Sequence, residues 1–166
     1  KYFSTGDFIL SDAYVSVIEA LKLSSYWHGY KPKLLWIHSE DFEGTPSHVK
    51  KVLDQKLGKA DGILVPGGFG ETGIEGKLNV IRYARENKVP YFGLCYGMQL
   101  MVIEYARNVA GMSDAHTAEI NPDSKHRVID IMEHQKKHLA EGRYGASMRL
   151  GSYACVLKKG TVAHKA

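Results

Sequence analysis

Cysteine is scarce: the 166 residues hold two, Cys95 and Cys155, sixty positions apart. That spacing excludes a compact C-x-x-C metal knuckle, and two thiols fall short of the disulfide density of a small secreted scaffold, so both are expected to be reduced. Long apolar runs are also missing. None approaches the roughly 18 residues a membrane span needs, and the N-terminus shows no charged head followed by an apolar stretch and a cleavage site, so a cytoplasmic protein is expected. The net charge of +4 is scattered, with no run of five or more Lys and Arg, so no nucleic-acid partner is expected. What is present, 44% hydrophobic and 24% charged residues, is ordinary for one soluble globular domain.

Short apolar runs alternate with longer amphipathic stretches through the first two thirds, the pattern of an α/β fold with a parallel sheet covered on both faces. After Asp12, a capping residue, Tyr14, Val17, Ile18 and Leu21 recur at helical spacing and predict a first helix ending near Gly29. Residues 34–38 read as a buried strand. Thr45 as cap and Pro46 at the first helical position open a second helix, which stops at Gly58. A strand is predicted over residues 62–65, a flexible Gly-rich segment over 66–76, and a third helix carrying Leu78, Ile81 and Ala84 to Asn87. Residues 89–94 read as a strand and a helix follows from Met98, closed by Gly111. Strand-like content at 127–132 and 147–157 predicts a small antiparallel C-terminal region.

The chemistry concentrates at Gly93-Leu94-Cys95-Tyr96-Gly97, where an apolar strand runs into G-x-C-x-G and then a helix. A residue on so sharp a strand-to-helix turn sits in strained backbone with its side chain exposed, and the flanking glycines let the chain pass closely. At the helix N-terminus, free N–H groups and the macrodipole favour a thiolate, and the Tyr96 N–H is placed to meet the oxyanion formed when that thiolate attacks an amide. Cys155, in an apolar run without glycine partners, reads as a buried, inert thiol. Pro66-Gly67-Gly68-Phe69-Gly70 follows a strand and so lies at the carboxyl end of the sheet, where open α/β folds bind ligands; Gly68 supplies a second oxyanion donor.

These two segments resemble class I glutamine amidotransferases. Further stretches, Gly73 to Lys77, Tyr83 to Asn87, Glu104 to Val109 and Met148 to Gly151, resemble within that family the glutaminase domain of CTP synthases. The resemblance implies a three-layer sandwich with a mostly parallel central sheet, of flavodoxin-like topology. It makes Cys95 the nucleophile that forms a thioester with L-glutamine, and gives Gly68 and Tyr96 to the oxyanion site. Gly97, Met98, Gln99, Glu119 and Arg149 complete the substrate-binding set; Glu119 pairs the substrate ammonium and Arg149 meets its carboxylate with a fork of donors. No cofactor or metal is implied in this domain. ATP and Mg belong to a separate synthetase domain that converts UTP to CTP, with GTP as activator, and the whole enzyme is expected to be a homo-oligomer, a tetramer.

A cysteine amidase also needs a histidine to move the thiol proton and a carboxylate to orient it. The resemblance places both near the family's C-terminus, and none of the eight histidines matches, so the chain reads as truncated at both ends. His116, His126, His134, His138 and His164 read as solvated. Thr72 stands where the family usually has Arg, and Tyr96 where it usually has Leu; the latter leaves the backbone donor intact. Another class I amidotransferase, a γ-glutamyl hydrolase and an inactive binding fragment are the alternatives.

Overall fold

The computed structural model describes residues 14–68, 71–132, 136 and 154–165. They fall into two compact units, divided after Asp130. The first unit runs α1 (Val15–Trp27), a 3-10 turn (Ser39–Phe42), α2 (Pro46–Leu57), β1 (Ile63–Val65), α3 (Ile74–Glu86), β2 (Tyr91–Gly93), α4 (Tyr96–Asn108), β3 (His116–Thr117) and β4 (Arg127–Ile129). The second contains the short α5 (Val162–Lys165). No helix among the described residues is long and apolar enough to cross a membrane.

Local chemistry accounts for several boundaries. The Thr45 hydroxyl accepts the His48 N–H, capping α2 with Pro46 at its first position, where a missing N–H costs nothing. Helix α1 ends before Gly29, whose φ of 78° a side chain would resist.

Strands β1 and β2 pair in parallel, Ile63 with Tyr91 and Val65 with Gly93. Hydrogen bonds from Ile63 N–H to Pro90 O (2.9 Å) and from Leu94 N–H to Val65 O (2.9 Å) continue the contact beyond the ladder. Ile63 and Val65 join Val49, Leu53, Leu57, Val80 and Ala84 in one core cluster. The alternate residue Leu64 lines a groove with Val17 and Leu21 of α1, as the two-residue side-chain period of a strand requires. A second cluster joins Ile74, Leu78 and Ile81 of α3 to Leu100 and Ile103 of α4.

The structure corrects three sequence expectations. Residues 34–38 carry no strand, and Ile37 alone of the five is buried. Residues 74–76 are helical rather than flexible, because Gly76 brings α3 against the 3-10 turn. A methyl group there would collide with Ser39 O, while the Asn79 side chain donates to Phe42 O at 3.0 Å. Strand β4 pairs in parallel with β3, with an irregular register; most of the other segment of the expected antiparallel region, residues 147–153, lies outside the described residues. Cys155 is exposed and lies outside any helix or strand, so it is not a core thiol. Asp12, Phe69, Gly70, His134, His138 and residues 147–153 lie outside the described residues.

Candidate active site

The turn from β2 into α4 is built by close backbone contacts. Gly93 lies against Gly97, so that a Cβ on Gly93 would stand 2.5 Å from the Gly97 carbonyl carbon, and a Cβ on Gly97 would strike Val65 O. The Tyr91 hydroxyl donates to Gly97 O at 2.9 Å, clamping strand to helix. Burial pushes the Tyr91 phenol far above its ordinary range, so it stays a donor. Between these glycines Cys95 adopts φ 50° and ψ −106°, a conformation most L residues avoid, and its thiol is exposed.

The glycine loop stands beside this thiol. An ideal Cβ on Gly67 would lie 3.4 Å from Cys95 Cβ and 3.9 Å from its Sγ, and one on Gly68 would lie 3.9 Å from Tyr96 Cδ1. A side chain at Gly67 would crowd the sulfur, and one at Gly68 the Tyr96 ring. The Tyr14 hydroxyl donates to Gly67 O at 3.0 Å. Among the described residues the Gly68 N–H makes no hydrogen bond.

The other expected site residues divide. Tyr96 heads α4 with its ring buried. Gly97 N–H donates to Leu94 O, and the Met98 and Gln99 N–H groups to Cys95 O, so these three amides close the turn. The Met98 side chain is exposed and Gln99 half-buried. Glu119 is exposed, with its N–H on Thr117 Oγ1. Its charge reaches the site: burial, Glu119 and Glu71 together push the Tyr96 phenol up to about 12. Arg149 lies outside the described residues.

Other polar groups of the first unit are also partnered. Lys77 donates to Thr72 O at 3.0 Å and holds its ammonium 5.8 Å from the centre of the Tyr96 ring. Burial lowers the Lys77 ammonium from its ordinary value, with Glu43 and Glu40 opposing. On α4, the buried Glu104 receives Arg85 of α3 at 2.8 Å and Asn108 at 3.1 Å. His126 is paired with Asp114 at 2.5 Å, and His116 Nδ1 accepts the Thr117 N–H at 3.0 Å. A tyrosine in an otherwise aliphatic helix stripe was the available signal for Tyr14. Nothing in the spacing marked Tyr91.

The family model for class-I glutamine amidotransferases matches residues 9–162. The chain belongs to the class-I glutamine amidotransferase family. This amidotransferase chain is 51% identical over 157 residues to a CTP synthase of Carboxydothermus hydrogenoformans, covering 95% of the chain and 28% of that protein. It is 47% identical over 155 residues to one of Pyrococcus furiosus, covering 93% and 27%. The chain thus spans little more than a quarter of these relatives' length. Its fold is similar to the glutaminase domain of Trypanosoma brucei CTPS, solved with bound acivicin: TM-score 0.72, 38% identity, 80% of this chain and 49% of that one. The amidotransferase fold is therefore α/β, as its sequence predicted.

Proposed function

We propose that the chain is the ammonia-supplying half of a CTP synthase, hydrolysing L-glutamine through Cys95. The observation that carries the reading is the exposed thiol of Cys95 at φ 50°, with Gly67 and Gly68 packed against the elbow. Attack of the thiolate on the glutamine side-chain carbonyl places negative charge on the amide oxygen. Main-chain donors at Gly68 and at Tyr96, the first residue of α4, stabilise that charge where it develops. Collapse of the intermediate expels ammonia, which takes the thiol proton by way of a histidine expected in the family's C-terminal segment. Water then attacks the thioester, releasing glutamate and regenerating the thiol.

Glu119, whose charge is felt at Tyr96, is assigned to the substrate ammonium, and Arg149 to its carboxylate. Gln99 follows the elbow on α4 and completes the set. The flavodoxin-like three-layer arrangement belongs to the same proposal, supported by α1 on the Leu64 face of β1 and by α2 and α3 on the other. In the whole enzyme ammonia passes to a synthetase domain that uses ATP and Mg to convert UTP to CTP, with GTP as activator, within a cytoplasmic homo-oligomer. No cofactor is assigned to the glutaminase half. Similarity to CTP synthases over most of the chain favours this product over those of other amidotransferases.

The test is labelling of the full-length protein with a glutamine-derived electrophile such as a diazo-ketone. Mass spectrometry should find the adduct on Cys95, and glutamine in excess should protect it. Labelling at Cys155, or labelling that glutamine does not suppress, would refute the assignment.

A further inference from the structure

We propose that Tyr14 is a positioning residue of the glutaminase site, holding the Gly67–Gly68 peptide so that the Gly68 N–H faces the oxyanion; this rests on the hydrolytic reading above. Two successive glycines leave the peptide plane between them soft, since neither has a Cβ to disfavour a flip. One contact on the outer edge of that plane can therefore decide which way it points. The Tyr14 hydroxyl makes such a contact, donating to Gly67 O at 3.0 Å from just ahead of α1.

A trans peptide directs its C=O and the following N–H to opposite edges. Fixing the Gly67 carbonyl on Tyr14 turns the Gly68 N–H away from α1. That N–H makes no hydrogen bond among the described residues, and a Cβ built on Gly67 would stand 3.4 Å from Cys95 Cβ and 3.9 Å from its Sγ, so the loop backbone lies beside the thiol. An unspent donor beside the nucleophile, with its orientation set from behind, is what a preorganised oxyanion site requires. Tyr14 touches no reacting atom in this scheme. Its effect passes through one peptide plane, and a phenylalanine would fill the same space without the hold.

The experiment is Tyr14→Phe in the full-length enzyme. Losing one oxyanion donor outright costs roughly a hundredfold to a thousandfold in kcat, and a donor merely released to rotate should cost less, about tenfold to a hundredfold. KM for glutamine should stay within about twofold, because the ground-state carbonyl makes little use of the donor. Affinity for glutamate γ-semialdehyde, whose adduct with the thiol carries the oxyanion, should fall by the same factor as kcat. Alkylation of Cys95 by iodoacetamide, which forms no oxyanion, should keep its rate.

An unchanged kcat overturns the proposal. So does a joint loss of kcat, KM, alkylation rate and melting temperature, which would mark Tyr14 as merely structural. A crystal structure of the unmutated enzyme with the semialdehyde gives a reading independent of folding: the adduct oxygen should lie within hydrogen-bond distance of Gly68 N, with Gly67 O still on Tyr14. An adduct oxygen turned away from Gly68 contradicts it. Absence of glutamine hydrolysis in the unmutated enzyme would instead sink the hydrolytic reading itself and this inference with it.

Discussion

Tyr91 and Gly97 are tied across the elbow, the Tyr91 hydroxyl donating to the Gly97 carbonyl at 2.9 Å. The bond links the first residue of β2 to the second of α4, on either side of Cys95. The angle of that turn depends on Gly97 lying directly against Val65 O, where no side chain fits.

Gly97→Ala therefore forces the helix off the strand. Overpacking of this kind costs about 1–3 kcal/mol, and here the obstacle is backbone, which yields less than a side chain. Chemical denaturation should show a loss at or above the upper end of that range, with glutamine hydrolysis falling further than stability accounts for. A neutral substitution would mean that the elbow does not need the close approach.

Cys95 carries backbone strain without buried side-chain packing to offset it. Cys95→Gly should be inactive and more stable, by about 1 kcal/mol, since a residue held in a sparsely populated region stores about 1–3 kcal/mol and glycine forfeits some of the relief to chain entropy. Equilibrium unfolding decides it; a destabilised variant would contradict strain at Cys95.

The first unit was legible wherever local chemistry sets the element. Thr45 and Pro46 announced α2, and the apolar recurrence through Leu78, Ile81 and Ala84 announced α3, because one helix face must meet the core. The strained backbone at Cys95 was equally legible, since glycines two positions either side of Cys95 have little use except close backbone passage. Contacts set by tertiary partners were not. Residues 34–38 look like a strand by composition, yet strand formation depends on a neighbour that composition does not name. Gly76 looked like loop material and proved to be the point where α3 touches Ser39. The hydroxyls of Tyr14 and Tyr91 were invisible as functional groups because periodicity registers only their rings.

Glu104 is 1% exposed and its charge is met by Arg85 and Asn108. Arg85→Met leaves the carboxylate with the Asn108 amide and no cation, a change worth about 3 kcal/mol or more for a buried pair. The double variant Arg85→Met with Glu104→Leu should recover most of that loss in thermal or denaturant unfolding. If it does not, the pair contributes something other than charge compensation.

His116 gives the protein a pH signature. Burial, followed by the charge of Arg107, lowers its imidazole below the ordinary histidine value. A folded-state pKa below the unfolded one means that the unfolded chain takes up the proton first as pH falls. Stability is then full above about pH 6.5 and declines from there until the folded-state pKa is passed. Melting temperatures of the wild type and His116→Gln, compared from pH 8 to 5, should differ in slope only in that interval, with the wild type falling more steeply. Parallel curves would contradict the assignment.

The central claim, that this chain supplies ammonia and does so through Cys95, is tested most directly by CTP formation in full-length Cys95→Ala. With UTP, ATP and glutamine the variant should make no CTP above background. With ammonium chloride replacing glutamine it should match the wild type, because added ammonia bypasses the thiol. Glutamine-driven synthesis surviving the substitution would contradict the account, as would failure of ammonia to restore it in a correctly folded variant.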